Sequence, residues 1–281
     1  MSSKSGKNLT KNNNGKTAWE IVKISRHPNR PLLQDYLELV FENFIELHGD
    51  RYFADDPAVV GGFAEIAGEK VMLIGHNKGK NTKENIERNF GMAKPEGYRK
   101  ALRLMRLAER FNIPIITIID TPGAFPGIEA EERGQAESIA KNITEMAKIE
   151  VPIISVVIGE GGSGGALGIG VGNTILMLSN AIYSVISPEG CASILWRDSS
   201  YAPDAADALN LTAKSLLKLE VIDEIINEPG DGAHTDYNKT AEEVKNSIIK
   251  NLKLLKNLSV NKLLDKRDEK YSNMGDFSTK G

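Results

Sequence analysis

The residues most open to a chemical reading lie between Val151 and Gly172. There an apolar run, VPIISVVI, ends in a loop with glycines at 159, 161, 162, 164 and 165. Glu160 is the only strong acid, base or thiol in that loop, so the chemistry on offer is mainly backbone. Glycine lets a ligand approach the main chain closely, and N–H groups at a helix start favour negative charge. The first reading is therefore an anion or oxyanion cradle.

Three patterns compete at this loop. Gly159, Gly161 and Gly164 satisfy G-x-G-x-x-G after a strand, but the segment that follows is short and broken by Gly168, Gly170 and Gly172. A dinucleotide fold needs a longer helix there, and an acid about 20 residues on that is missing. No Gly-Lys-Ser/Thr follows, which excludes a P-loop. Gly161 to Gly165 also fits G-x-S-x-G, with Ser163 as nucleophile, Asp204 or Asp223 as orienter and His234 as base. The third pattern needs only backbone: two adjacent amides, for example those of Gly164 and Gly165, can form an oxyanion hole that stabilises an enolate or ureido oxygen.

Other chemistry-bearing groups are sparse. A single cysteine, Cys191, excludes an intrachain disulfide and a cysteine-cluster zinc site. The four histidines, at 27, 48, 76 and 234, show no metal-binding spacing, so no metal is expected in this chain. The turn DTPGAFPG at 120–127 offers a second stiff, glycine-containing loop. Arg99, Arg103, Arg106 and Arg110 form a stripe that reads as a solvated cationic face or as a contact to phosphate or carboxylate. With 35 basic against 38 acidic residues, a formal net charge of −3, nothing global points to nucleic acid. No apolar run approaches the ~20 residues of a membrane span, and the polar start lacks a signal-peptide core. The expected location is cytoplasmic.

The elements that must position these loops are legible from periodicity. IPIITIIDTPGAFPG, from Ile113, and VPIISVVIGEGGSGG, from Val151, share a strand followed by a glycine-rich loop, with a helix predicted over 131–149 between them. Buried strands separated by helices pair in parallel. Upstream, Val59 to Ile66 and Lys70 to His76 predict a hairpin turning at Gly68, and Pro95 to Arg110 a helix. The segment 78–97 before it reads as a long ordered loop or short helix. Near the N-terminus a first helix begins around Trp19. A second, with Pro31 in its first turn, carries Leu33, Leu37, Val40, Phe44 and Leu47. Strands are expected at 174–178 and 181–186, a short helix at 212–219, a terminal strand and turn at VIDEIINEP, and one long amphipathic helix over 241–268. Residues 1–16 read as a disordered tail, 17–240 as one α/β domain, and 241–281 as a C-terminal helix and tail.

Taken together, HGDR (48–51), DDPA (55–58), NFGM (89–92), PEGYRKALRLM (95–105), IDTPGAFPG, AEERGQ (130–135), IGEGGSGGA and YSVISPEGCASILW (183–196) resemble the carboxyltransferase alpha subunits of bacterial-type, multi-subunit acetyl-CoA carboxylase. The resemblance spans roughly 19–237. It implies a crotonase-like spiral of β-β-α units with helical extensions at both ends, and an α2β2 assembly whose zinc-finger beta subunit supplies the acetyl-CoA side. The implied reaction moves a carboxyl group from N-carboxybiotin, on a biotin carboxyl carrier protein, to acetyl-CoA. It gives malonyl-CoA for fatty-acid synthesis, while a separate biotin carboxylase consumes ATP. By the same resemblance Gly164 and Gly165 donate N–H groups to the biotin ureido oxygen. Gly123, Ala124, Phe125, Gly161 and Gly162 then frame the carboxybiotin, and Arg99 and Arg103 are candidates for CoA phosphates. A non-catalytic scaffold for the beta subunit and a hydrolase using Ser163 are the alternatives.

Overall fold

The computed structural model describes residues 15–275. Most of the expected N-terminal tail, 1–14, and the end of the C-terminal tail, 276–281, lie outside the described residues. Helix α1 (Ala18–Ser25) opens on a capping box: the Glu20 N–H donates to Thr17 Oγ1 at 3.2 Å and the Thr17 N–H to the Glu20 carboxylate at 2.7 Å. Helix α2 (Leu33–Val40) begins two residues after Pro31 and is shorter than its periodicity predicts. At Phe41 the backbone becomes extended and enters β1 (Glu42–Glu46), so Phe44 and the following Leu47 belong to an edge strand and its end. The free edge of β2 (Val59–Ile66) outweighs the helical spacing, because it pairs antiparallel with β1, and Gly62 leaves room for the Ile45 carbonyl.

The hairpin of β2 and β3 (Glu69–His76) forms as expected, with Ala67 and Gly68 both at positive φ, 50° and 79°, as a two-residue turn requires. After it come the short helix α3 (Thr82–Glu87), a 3-10 turn at Asn89–Gly91, and α4 (Pro95–Arg110) with Pro95 in its first turn. Strand β4 (Ile115–Thr121) is buried at every position. The helix predicted over 131–149 is two, α5 (Ile128–Glu132) and α6 (Gln135–Met146), separated at Gly134, whose φ of 84° suits glycine.

Strand β5 (Ile153–Gly162) leads through α7 (Ser163–Leu167) to β6 (Thr174–Leu178) and β7 (Ile182–Ser184). Helices α8 (Pro188–Trp196), α9 (Ala202–Ala208) and α10 (Ala213–Lys218) precede β8 (Glu224–Ile226). The long helix expected at the C-terminus is also two, α11 (Tyr237–Lys256) and α12 (Val260–Ser272). Ser259 starts the second by accepting the Lys262 N–H.

Among the described residues one sheet of eight strands forms, in the order β1-β2-β3-β4-β5-β6-β8, with β7 pairing β5 beyond the end of β6. It is antiparallel up to β3 and parallel from there on. Helices α4 and α6 pack on each other along the crossovers. Val244, Ile248 and Leu252 of α11 share one buried cluster with the sheet, so the C-terminal segment packs on the body of the fold.

Candidate functional site

The two glycine-rich loops meet because of how β5 is paired. Ile154 to Val157 hydrogen-bond to β6, and Glu160 to Gly162 then take β7 as a new partner on that side. On the other side the register with β4 shifts between Ile119 and Thr121, which sets Thr121 opposite Gly161. DTPGAFPG leaves β4 and GGSGG leaves β5 at this same end of the sheet.

The glycines of the second loop have different reasons to be glycine. A Cβ on Gly159 would collide with the Asp120 carboxylate, and one on Gly161 would reach the Tyr183 ring at 2.7 Å. On Gly162 it would strike the Pro122 carbonyl, and on Gly165 the Gly123 backbone, with Ala124 N at 2.6 Å. These four glycines permit close packing. At Gly164 a Cβ would meet only Ile139, at 3.8 Å, an ordinary contact. That side of the loop is open.

Ser163, between strand and helix, sits at a φ of +51°, a region costly for a non-glycine residue. The strain turns the chain sharply into α7, where Gly164 and Gly165 occupy first-turn positions whose amides have no helical acceptor. Among the described residues no hydrogen bond takes up either amide.

Two cavities flank Gly164, and both include Ser163 in their walls. The first, about 410 Å³, is apolar; Leu167, Ile175, Leu216 and Val221 contribute to it, and Tyr271 and Met274 come from α12 and its end. The second, about 590 Å³, runs along Gly123 to Pro126 and carries Glu131 and Glu137. Of the expected carboxybiotin residues, Gly123, Ala124 and Phe125 line this second cavity. Gly161 and Gly162 line neither.

Behind the loops lies a charge cluster, buried at Lys78, Asp120 and Glu160 and reaching the surface at Arg26 and Glu189. Lys78 Nζ donates to the Asp120 carboxylate at 2.7 Å and to Glu160 at 3.4 Å, while Arg26 reaches Glu160 at 2.7 Å and Glu189 at 2.6 Å. The Glu160 N–H also donates to Asp120, at 2.9 Å. Burial raises the Glu160 pKa, but Lys78 and Arg26 outweigh it and hold the carboxyl below its usual range. Asp120 thus ties the end of β4 to the bend in β5. Sequence reading missed Lys78 and Arg26, since their partners are far away in the chain.

Arg99 and Arg103 are engaged within the chain. Arg99 Nε donates to Asp50 at 2.8 Å and its Nη1 to the Arg133 carbonyl at 3.0 Å; Arg103 holds the carbonyls of Gly49 and His48 at 3.0 and 3.1 Å. Asp50 in turn accepts the N–H groups of Tyr52, Phe53 and Ala54. The arginine stripe organises the HGDR loop, and neither residue lines the cavities beside Gly164. Lys94 lies 4.8 Å over the Phe125 ring, and Gln135 Nε2 bonds the Ala93 and Phe125 carbonyls at 2.8 and 3.0 Å, fixing the DTPGAFPG turn.

The hydrolase triad is not assembled. Neither cavity that Ser163 lines contains a histidine. His234 stacks on His27 with ring centroids 3.8 Å apart, and Asp223 pairs with Lys270. The described residues hold no group of three or more His, Cys, Asp or Glu side chains placed to bind a metal, and no helix among them is long and apolar enough to cross a membrane.

A family model described as acetyl co-enzyme A carboxylase carboxyltransferase-like matches residues 1–275. The acetyl-coenzyme A carboxylase carboxyl transferase subunit alpha of Methylococcus capsulatus is 58% identical over 259 residues, covering 92% of this chain and 81% of that one. Its counterpart from Thermus thermophilus is 56% identical over 262 residues, covering 93% and 84%. Among solved structures, transcarboxylase 12S aligns with a TM-score of 0.63 at 16% identity, over 93% of this chain and 46% of that one. The beta subunit of P. aeruginosa geranyl-CoA carboxylase gives 0.61 at 17%, over 97% and 48%. At such identities these two show the fold alone, which is the crotonase-like α/β fold that the motifs imply.

Proposed function

The chain belongs to the acetyl co-enzyme A carboxylase carboxyltransferase-like family, and from that membership we propose that it is the alpha subunit of an acetyl-CoA carboxylase carboxyltransferase, with the Gly164–Gly165 amides as its catalytic groups. The reaction transfers a carboxyl group from biotin to acetyl-CoA and forms malonyl-CoA. Biotin, carried on a separate protein, supplies that group and an oxygen on which negative charge grows as the carboxyl leaves. Of the two unpaired amides, that of Gly164 borders the cavities while Gly165 is buried behind it and lines neither; such a pair suits that oxygen, and no side-chain base is needed in the loop.

The observation that carries this reading is the contrast among the glycines. Four are filled by their neighbours, while Gly164 faces two cavities with its amide uncommitted. In this reading Gly123 and Ala124 hold Gly165 in place and Phe125 walls the approach. Glu131 and Glu137 make the Phe125 side a poor place for CoA phosphates, which fits delivery of acetyl-CoA by another chain. A beta subunit is the partner implied by an alpha subunit. The finer reading is an α2β2 assembly with a zinc finger in the beta subunit, served in the cytoplasm by a biotin carboxyl carrier protein and a biotin carboxylase.

The test is reverse transfer, from malonyl-CoA to free biotin, by the full chain mixed with its beta subunit. Gly164→Ala adds a methyl group on the open side and is expected to leave stability unchanged, or raised by up to about 1 kcal/mol. Carboxyl transfer is expected to fall at least tenfold, because the added group stands beside Ile139, in the wall of the cavity along Phe125. Full activity in a normally folded Gly164→Ala assembly would remove the assignment.

A further inference from the structure

Helix α6 carries amide side chains on its buried face, where apolar ones would serve a core. Gln135, Ile139 and Asn142 follow one another at i, i+4 and i+7 and so share a face, with Gln135 and Asn142 two turns, about 10 Å, apart. Gln135 is 8% exposed and Asn142 only 1%. Asparagine is a weak helix former, and its amide loses hydration on burial. Asn142 also lies outside every motif of the sequence, so its place in the helix calls for a reason in the fold.

From these two amides a closed circuit of contacts runs through both glycine-rich loops. At one end Gln135 Nε2 donates to the Phe125 carbonyl at 3.0 Å and to that of Ala93 at 2.8 Å, and the Phe125 N–H donates to the same Ala93 carbonyl at 3.0 Å. Phe125 follows Gly123 and Ala124, the backbone against which Gly165 is pressed. At the other end Asn142 Nδ2 donates to the carbonyls of Gly168 and Tyr98, at 2.8 and 2.9 Å. A Cβ on Gly168 would lie 2.5 Å from the Tyr98 ring, so this glycine is clamped between that ring and Asn142. Its N–H in turn donates to the Gly164 carbonyl at 3.0 Å. A peptide group is planar, so a hold on the Gly164 carbonyl sets the direction of the Gly165 N–H. The Tyr98 hydroxyl reaches the Gly165 carbonyl at 3.4 Å and steadies the next peptide. The costly φ of Ser163 needs such a hold, since strained backbone persists only where its neighbours over-determine it.

We propose that Gln135 and Asn142 are positioning residues for carboxyl transfer: from two turns of α6 they hold the DTPGAFPG turn and the far end of α7 at a fixed separation, and so aim the Gly164–Gly165 peptide. The proposal rests on the carboxyltransferase reading and adds to it what orients the amides. Charge on the oxygen is greatest in the transition state, so a misdirected amide slows turnover more than it weakens binding. Gln135 also borders the cavity along Phe125, and an unchanged KM is therefore what separates aiming from contact.

The experiment measures reverse transfer by the full chain with its beta subunit, varying free biotin and malonyl-CoA separately. Asn142→Leu and Gln135→Leu remove the donors and keep side chains of similar size. Each is expected to lower kcat at least about tenfold, with both KM values within about threefold of the parent. Because either one opens the circuit, the double variant should lose no more than about threefold beyond the worse single variant. Losses that multiply overturn the proposal, and so does a rise in KM with kcat intact. Asn142→Ser, too short to hold the Gly168 carbonyl, is expected to match the leucine variant and gives the same test where leucine hinders folding. Ile248→Ala truncates a buried side chain of α11 outside the circuit and is expected to lower the thermal midpoint but keep kcat; a kcat loss there as large as that of Asn142→Leu would trace the effect to general stability and end the proposal. Gly164→Ala, measured alongside, separates the two levels. If it abolishes transfer while the leucine variants turn over like the parent, only the positioning role fails; if it is fully active, the amide assignment fails and the positioning role with it.

Discussion

His76 shows how a single residue can record its surroundings. It ends β3 and is fully buried, and the Gly165 backbone offers its ring only a weak hydrogen bond that burial outweighs. Burial, reinforced by the nearby Lys78 charge, lowers its pKa to about 3. The unfolded chain regains a value near 6.5, so between about pH 6.5 and 3 it binds a proton that the folded chain refuses. Stability then falls as pH falls, by at most about 1.4 kcal/mol per pH unit from this group, and the effect vanishes above about pH 6.5. In denaturant titrations, the stability difference between His76→Gln and the parent should be flat above that point and move in favour of the variant below it; a constant difference would show that His76 titrates normally. Nothing in the sequence marks this histidine, since its state depends on burial by distant residues. The glycine loop was legible as a backbone site for the opposite reason: its composition leaves little else. Which glycine faces a ligand was not legible, because Pro122, Gly123 and Tyr183 supply the collisions that define the others.

Elements with their own signals were read correctly, and those decided by neighbours were not. Pro95 fixes the start of α4, and Ala67-Gly68 fixes the β2–β3 hairpin. Leu33 to Leu47 keeps a helical spacing beyond Val40 and still becomes strand, because a sheet edge was waiting there. In the C-terminal segment the apolar positions also continue past the break at Ser259, so periodicity alone joined α11 to α12. What α12 gains from the break is the placement of Arg267. Burial lowers this guanidinium's pKa to about 10, which leaves it charged at neutral pH with carbonyl and amide oxygens as its partners. Arg267→Leu would strand those acceptors and is expected to cost about 2–4 kcal/mol. If α12 docks through this residue, limited proteolysis of the variant should cut first between Lys256 and Val260, before the sheet is attacked. Unchanged resistance there would mean that Lys270 and Tyr271 hold the helix without it.

At the scale of the molecule, one run of uncovered apolar side chains lies on α8. Ile194, Leu195 and Trp196 end α8 with 72%, 63% and 42% exposure, and Tyr201 stacks on Trp196 with ring centroids 5.9 Å apart. Val185, in the rim of the apolar cavity, precedes the same helix. Patches of this kind mark interaction surfaces, and an alpha subunit implies a beta subunit as partner. Leu195→Asp is expected to leave the free chain folded but weaken its association with the beta subunit at least tenfold, as measured by analytical ultracentrifugation; tight assembly by the variant would place the interface elsewhere. This patch was not legible in the sequence, because which side of α8 faces solvent is decided by elements far away in the chain. The joint between the loops leaving β4 and β5 has a last consequence. Surface loops usually absorb insertions and deletions freely. With Gly162 and Gly165 pressed against Pro122, Gly123 and Ala124, neither loop has slack of its own. Their lengths are locked together, and a residue added to one would have to be answered in the other for the joint to close.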